Sequence, residues 1–448
     1  MKEFNVDLQK TVGQIKPLHG VNNGPISYGG LTSTVEDYRE AGIPIVRLHD
    51  PDWPNPYHVD IPKVFPDFNA DPEDPSAYRF SQTDDLIQAI YECGAEPMYR
   101  LGVSIEHYRE TIYAVKPEDF EKWAEICVHV IRHYNEGWCN GFHYNIRFWE
   151  IWNEADGGKN MWTGGTAQDY YELYSTATKR IREACPNVLL GGYAGCTVRN
   201  EAFMAGFFEH IRANHCPLDF FTWHCYTGDP ERLVEDAAIA RDYLRRYGYP
   251  DAISACDEWN YIDGPSDWEC MHTAASHERR KAMFERMRNH EGAAFVATSM
   301  IRMQNSEMDM ACYYDGQPHM LFCGLFDLYA MRMKTYYAFA AYNELYDLQK
   351  QLSVQGEPEN GLCALAAGSA SQACVLLVNR KPSEDEVRIA FENLGDKKHW
   401  IAETIDEMHD MEKTAEGDLS EDASLTIPLS PYGVTLIRLG GGELSAFG

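Results

Sequence analysis

The chain has 448 residues, 44% hydrophobic and 24% charged, enough apolar material for one large domain and a smaller companion. Its 39 basic residues against 69 acidic ones leave a formal charge of −30, which repels phosphate backbones and anionic lipid. Nucleic-acid and membrane partners are therefore poor expectations, and an anionic substrate is disfavoured unless a local basic pocket overrides the global field.

The opening MKEFNVDLQK lacks the apolar stretch of a secretory signal, and no run of about 18 apolar residues follows, so a cytoplasmic location is expected. Thirteen cysteines lie singly, with no CxxC pair and no zinc-like spacing. Several sit in apolar settings, such as Cys127 in EICVHVI, and read as buried, reduced thiols.

Phe4, Val6 and Leu8 alternate as a first strand. Eight short apolar runs then recur: Gln14–His19, Pro44–His49, Glu96–Leu101, Arg147–Asn153, Val188–Tyr193, Phe220–His224, Ala252–Glu258 and Ala294–Met300. Their apolar character is continuous, as for parallel strands covered on both faces. Helical periodicity fills the gaps, in Phe120–Tyr134 and in Glu231–Tyr247 for example. Eight strands alternating with helices predict a closed (β/α)8 TIM barrel, with its chemistry at the carboxyl ends of the strands. A doubly wound open sheet would need a GxGxxG or Walker-type loop, and none follows an early strand.

After the predicted helix Thr335–Leu348 the texture changes to short strands and polar turns: Leu362–Ala367, Ala373–Asn379, Val387–Phe391, Trp400–Ile405, Leu425–Pro428 and Gly433–Leu439. These predict a small C-terminal antiparallel β-sandwich, with Glu416–Asp422 as an acidic loop. The expected division is a barrel over 13–350 and a sandwich over 351–448, joined by the N-terminal strand 1–12.

The sharpest chemical signal is Arg147-Phe-Trp-Glu-Ile-Trp-Asn-Glu154, an apolar strand ending abruptly in Asn153 and Glu154. A carboxylate at the end of a buried strand costs stability unless it is used; the competing reading is a helix cap. The seventh run ends similarly, in Glu258 flanked by aromatic residues. The two glutamates are 258 − 154 = 104 residues apart, yet barrel closure would bring both to one rim. Glycoside hydrolysis needs such a pair, about 5–5.5 Å apart on the retaining route, one protonated and one ionised.

This pair resembles the signature of the clan of retaining (β/α)8 glycosidases, with Asn-Glu ending strand 4 and Glu ending strand 7. Within the clan the chain most resembles glycoside hydrolase family 39, the β-xylosidases and α-L-iduronidases. The supporting stretches are Pro17-Leu-His-Gly-Val-Asn-Asn-Gly24, Val46-Arg-Leu-His49, Phe148-Trp-Glu-Ile-Trp-Asn-Glu154, Phe220-Phe-Thr-Trp-His-Cys-Tyr226 and Gly324-Leu-Phe-Asp-Leu-Tyr329. The resemblance implies Glu154 as acid/base and Glu258 as nucleophile, Asn153 on the sugar 2-hydroxyl, and His224 and Tyr226 beside the nucleophile. It also implies exo action on a β-xyloside or similar small glycoside. After Trp-Asn-Glu the chain reads Ala-Asp-Gly-Gly rather than a Pro-Asn-containing continuation, which leaves arabinosidase, iduronidase-like and galactosidase specificities open.

Further candidates lie at strand ends. His49 and Asp50 could bind sugar hydroxyls or form a turn with Pro51. Trp223 and Trp259 could stack on a pyranose or simply fill the core. His19 and Arg47 read either as substrate contacts or as members of a buried polar network. A metal site built from His49, His215, His224 and Cys225 lacks regular ligand spacing, so no metal and no cofactor is expected. No GxSxG elbow appears. The expected partner is a carbohydrate; homo-oligomerisation stays open, as does a catalytically silent carbohydrate-binding protein on the same barrel.

Overall fold

The computed structural model describes residues 2–447 except 53, 54, 107, 108, 273, 274, 321, 323, 357–360, 442 and 443. We number the strands used below in chain order. β1 is Lys2–Gln14. The barrel strands are β2 (Gly20–Asn22), β3 (Ile45–Leu48), β4 (Glu96–Leu101), β5 (Phe148–Ile151), β6 (Leu189–Gly195), β7 (Phe220–Thr227), β8 (Ile253–Tyr261) and β9 (Met310–Tyr313). The C-terminal strands are β10 (Lys350–Gln355), β11 (Leu362–Gly368), β12 (Gln372–Asn379), β13 (Asp385–Glu392), β14 (His399–Ile405), β15 (Asp410–Asp418), β16 (Ser424–Leu429) and β17 (Val434–Gly440).

Strands β2 to β9 close into a parallel barrel, each paired to the next and β9 back to β2. The predicted (β/α)8 barrel is therefore present, with one strand displaced. Ala294–Met300 lies inside the helix His290–Gln304, and the eighth strand is Met310–Tyr313. That helix starts at Asn289, whose side chain accepts the amides of Glu291 and Gly292. It is wedged between its neighbouring helices and the C-terminal sheet, so it keeps no polar face and reads as a buried strand. The first strand is also shifted, from Gln14–His19 to Gly20–Asn22.

Helix ends follow local chemistry. Phe120–Glu136 begins on Asp119, which caps Lys122 N, and stops at left-handed Gly137 (φ 76°). Pro230–Tyr247 begins on Asp229 with Pro230 in its first turn, where the missing N–H costs nothing.

Within the barrel, Ile45, Met98, Phe148, Phe220, Ala255 and Met310 form an apolar floor. Two residues further along their strands stand Arg47, Glu150, Thr222 and Asp257, pointing the same way by the period of two. Polar residues thus begin immediately above the floor, toward the carboxyl ends.

The C-terminal part is a nine-stranded sheet ordered β15-β14-β17-β12-β11-β10-β1-β13-β16. It is mixed rather than purely antiparallel, because β1 runs parallel to β13 while pairing antiparallel with β10. The acidic stretch expected as a loop is a strand up to Asp418, since β15 covers Asp410–Asp418. Phe4, Val6 and Leu8 share one core with Val375, Leu377, Ile389 and Ile437, so the two halves of the sheet fold over each other as a sandwich. Alternate residues on the other face, Cys363, Leu365, Cys374 and Leu376, belong to the barrel's core. Arg438 of β17 pairs with Glu403 of β14 at 2.6 Å and also with Glu344 of the helix Lys334–Leu348.

Twelve described cysteines are free, ten of them buried. No described helix is long and apolar enough to cross a membrane.

Candidate active site

Glu154 follows β5 and Glu258 lies within β8, the fourth and seventh strands of the barrel. One oxygen of each and Nδ1 or Nε2 of His224 all lie within 4.8 Å of one another. Both glutamates are nearly buried, at 6% and 3% exposed.

The backbone around Glu154 is bent to present it. Trp152 (φ 70°) and Glu154 (φ 46°) are left-handed, a conformation that costs about 1–3 kcal/mol each for such residues. Trp152 N still pairs with Leu101 O at 2.7 Å, and Glu154 N with Ala194 O at 2.8 Å, so neighbouring strand ends enforce the bend.

Glu258 is aimed by a different device. The register of β8 on β7 slips between Cys256 (opposite Trp223) and Glu258 (opposite His224), making Asp257 an extra bulge residue. Asp257 and Glu258 consequently face the lumen together.

Arg47 of β3 is the hub. Fully buried, it donates to Glu150 Oε2 at 2.8 Å, Asn22 Oδ1 at 3.0 Å, Glu258 Oε1 at 2.7 Å and Asn153 Oδ1 at 2.8 Å, and lies 2.8 Å from Asp257 Oδ2. One cation cannot neutralise three carboxylates. Burial drives Asp257 well above the usual carboxylate range, while Arg47 outweighs burial at Glu150 and keeps it below that range. Tyr226 donates to Glu258 Oε2 at 2.7 Å. With Arg47 on the other oxygen, Glu258 has two donors complementing a negative charge.

Glu154 lies in the opposite environment. Burial raises its pKa to about 7, against weaker opposing effects of the Cys196 thiol and Arg47. His224 Nδ1 is 2.7 Å from Glu154 Oε1 and 3.4 Å from Glu258 Oε2. Burial lowers the His224 pKa to about 4, so the imidazole is neutral and Nδ1 can accept the Glu154 proton's hydrogen bond. One carboxyl is thus kept protonated and its partner is held by donors, 4.8 Å or less apart.

Four other expected residues surround this pair. Asn153 accepts from Arg47, and its Nδ2 has no partner among the described residues. His49 Nε2 is 3.6 Å from Glu258 Oε1 and 3.5 Å from Asp50 Oδ2; neither ring nitrogen has a hydrogen-bond partner among the described residues. Asp50 accepts from Ile105 N at 2.8 Å, and burial raises its pKa well above normal. Tyr226 packs on Trp268 and Phe322.

Trp223 and Trp259 do not join them. Both are 0% exposed and belong to the core between barrel and helices. In β7 the odd-numbered Phe221, Trp223 and Cys225 turn outward while His224 and Tyr226 turn inward. Beyond the bulge, Trp259 packs on Phe295 and Tyr313 outside the barrel. Neither offers a ring to a sugar. His19 is likewise remote, bonded to Gly42 O and Asn343. Glu150 and Asp257 were overlooked by sequence reasoning. The signal was available, since each is an acidic residue inside an otherwise apolar strand.

Residues 38–237 match the family described as Glycosyl hydrolases family 39. The matched segment includes Glu154 and ends before Glu258. A β-xylosidase of Geobacillus stearothermophilus is 23% identical over 230 residues, 45% of this chain and 45% of that protein. The chain thus spans less than half the length of this curated relative. Among solved structures, a glucosidase from Croceicoccus marinus superposes with a TM-score of 0.82 at 22% identity, covering 99% of this chain and 100% of that one. A monomeric β-xylosidase from Caulobacter crescentus gives 0.74 at 15% identity, covering 98% and 99%. At these identities the structural likeness establishes the fold. Family match, curated relative and fold agree with the motifs: over residues 38–237 the chain is similar to glycosyl hydrolases family 39.

Proposed function

We propose that the chain is a retaining glycoside hydrolase that removes a terminal sugar by double displacement. The observation that carries this reading is the juxtaposition of Glu154 and Glu258, a proton-holding carboxyl and a donor-bound carboxylate facing each other across one site, as the retaining route uses them. Glu258 forms a bond to the anomeric carbon as the bond to the leaving oxygen breaks, and Glu154 passes its proton to that oxygen. Water then enters, gives its proton to Glu154 and displaces Glu258, so the anomeric configuration is inverted twice. Asn153 Nδ2 and His49 present unpaired nitrogens to sugar hydroxyls, and Asp50 contributes a protonated carboxyl at the rim. The β-xylosidase relatives favour a small β-xyloside as substrate. The free thiols accord with a cytoplasmic setting.

The test is Glu154→Ala on an activated aryl β-xyloside with and without azide. Restored turnover with a β-glycosyl azide as product is expected; wild-type turnover on unactivated glycosides by this variant would refute the assignment. Aryl arabinosides, galactosides and iduronides in the same panel fix the sugar.

A further inference from the structure

Beyond the acid pair, the barrel rim carries a cavity of about 590 Å³. One wall is the helix His277–Arg288 in the long connection after β8, and the other is the segment after β9 that includes His319, Met320 and Leu328. Both lie in connections at the carboxyl ends of barrel strands, the end of the barrel that holds the acid pair. The two sites share a wall: Tyr226, bonded to Glu258, packs against Phe322 at 5.6 Å, and Phe322 against His319 at 5.4 Å.

The cavity's charge departs from that of the molecule. In a chain with 69 acidic and 39 basic residues, Arg280, Lys281 and Arg288 converge here. Its acids are already engaged, Glu285 by Arg288 and Asp327 by the amides of Tyr329 and Met331. Arg280 lies over the Phe284 ring at 5.8 Å, and neither it nor Lys281 has an acidic partner among the described residues. Exposed Met320 and Leu328 add apolar surface beside the cations. Cations without counterions, next to apolar walls one aromatic layer from the reacting centre, match a sugar with C–H faces and a carboxylate.

We propose that this cavity is a leaving-group subsite for a uronic-acid residue, so that the substrate is an acidic oligosaccharide despite the negative surface. The inference rests on the glycosidase reading, because the cavity's role follows from its place beside the acid pair. The reacting sugar occupies the barrel axis, and the next unit extends outward past His319 to place its carboxylate between Arg280 and Lys281.

The experiment compares two probes that differ only in charge: a disaccharide with xylose β-linked to glucuronic acid as the leaving unit, and its carboxyl-reduced counterpart. Binding is measured by calorimetry in a Glu154→Gln background, which blocks turnover. The acidic probe is expected to bind about tenfold tighter. That advantage should vanish on adding Arg280→Glu and Lys281→Glu, and shrink as salt is raised. Equal affinity for the two probes before charge reversal, or an advantage that survives it, overturns the proposal. Arg280→Gln with Lys281→Gln gives the same comparison should the reversed variant fail to fold. The glycosidase reading is judged separately, by wild-type turnover of neutral aryl glycosides.

Discussion

Glu154 illustrates a residue whose usefulness conflicts with stability. Its pKa of about 7, against an ordinary 4.5, means that the folded chain binds this proton more tightly than the unfolded chain does. Stability from this group is therefore full below about 4.5 and declines as pH rises to about 7, by about 3 kcal/mol in total. Glu154→Gln removes the titration, so the variant should melt higher than the wild type at pH 8 and nearly equally at pH 4.5. The same pKa sets the alkaline limb of kcat/KM near pH 7, which should disappear in Glu154→Gln with an activated substrate. A limb near pH 9, or no stabilisation at pH 8, would contradict this account. Arg47 shows the reverse dependence. Arg47→Met leaves Glu150, Asp257 and Glu258 without their cation, and a loss of roughly 3–5 kcal/mol in urea unfolding is expected.

At the scale of the strand, orientation matters more than position in the sequence. The bulge at Asp257 turns two consecutive acidic residues into the lumen and sends Trp259 outward. Trp223→Phe and Trp259→Phe should accordingly leave KM within about twofold and instead cost roughly 1–3 kcal/mol of stability, through lost packing. Tyr226→Phe should do the opposite, lowering kcat by about tenfold or more with little change in melting, because its hydroxyl touches Glu258. Steady-state kinetics with thermal melts separate the two patterns. The same physics explains what could be read from the sequence. Six of the eight predicted runs coincide with strands of the barrel, and the acid pair stood out because carboxylates rarely end such strands. The facing of Trp259 was not visible, since a one-residue bulge reverses parity without a composition mark. Ala294–Met300 misled because a helix covered on every side loses the amphipathic period that distinguishes it from a strand.

For the molecule as a whole, the barrel is braced by a sheet whose two faces belong to different cores. Strand β1 sits inside that sheet, between β10 and β13. Deleting residues 2–14 removes Phe4, Val6 and Leu8 from the sandwich core and bares two strand edges. Burial of three such side chains is worth roughly 5–9 kcal/mol, comparable with the total stability of a domain, so the truncated chain should show no cooperative melt by circular dichroism. Phe4→Ala, a milder change, should cost about 3–5 kcal/mol and keep activity at low temperature.

That arrangement also imposes an order in time. Lys2 pairs with Val387, so β1 must wait for a partner synthesised 385 residues after it. At roughly 5–20 residues per second the delay is about 20–80 s. During that interval a strand with Phe4, Val6 and Leu8 on one face has no sheet to enter. The nascent chain therefore has to shield that apolar face until those later strands have been made.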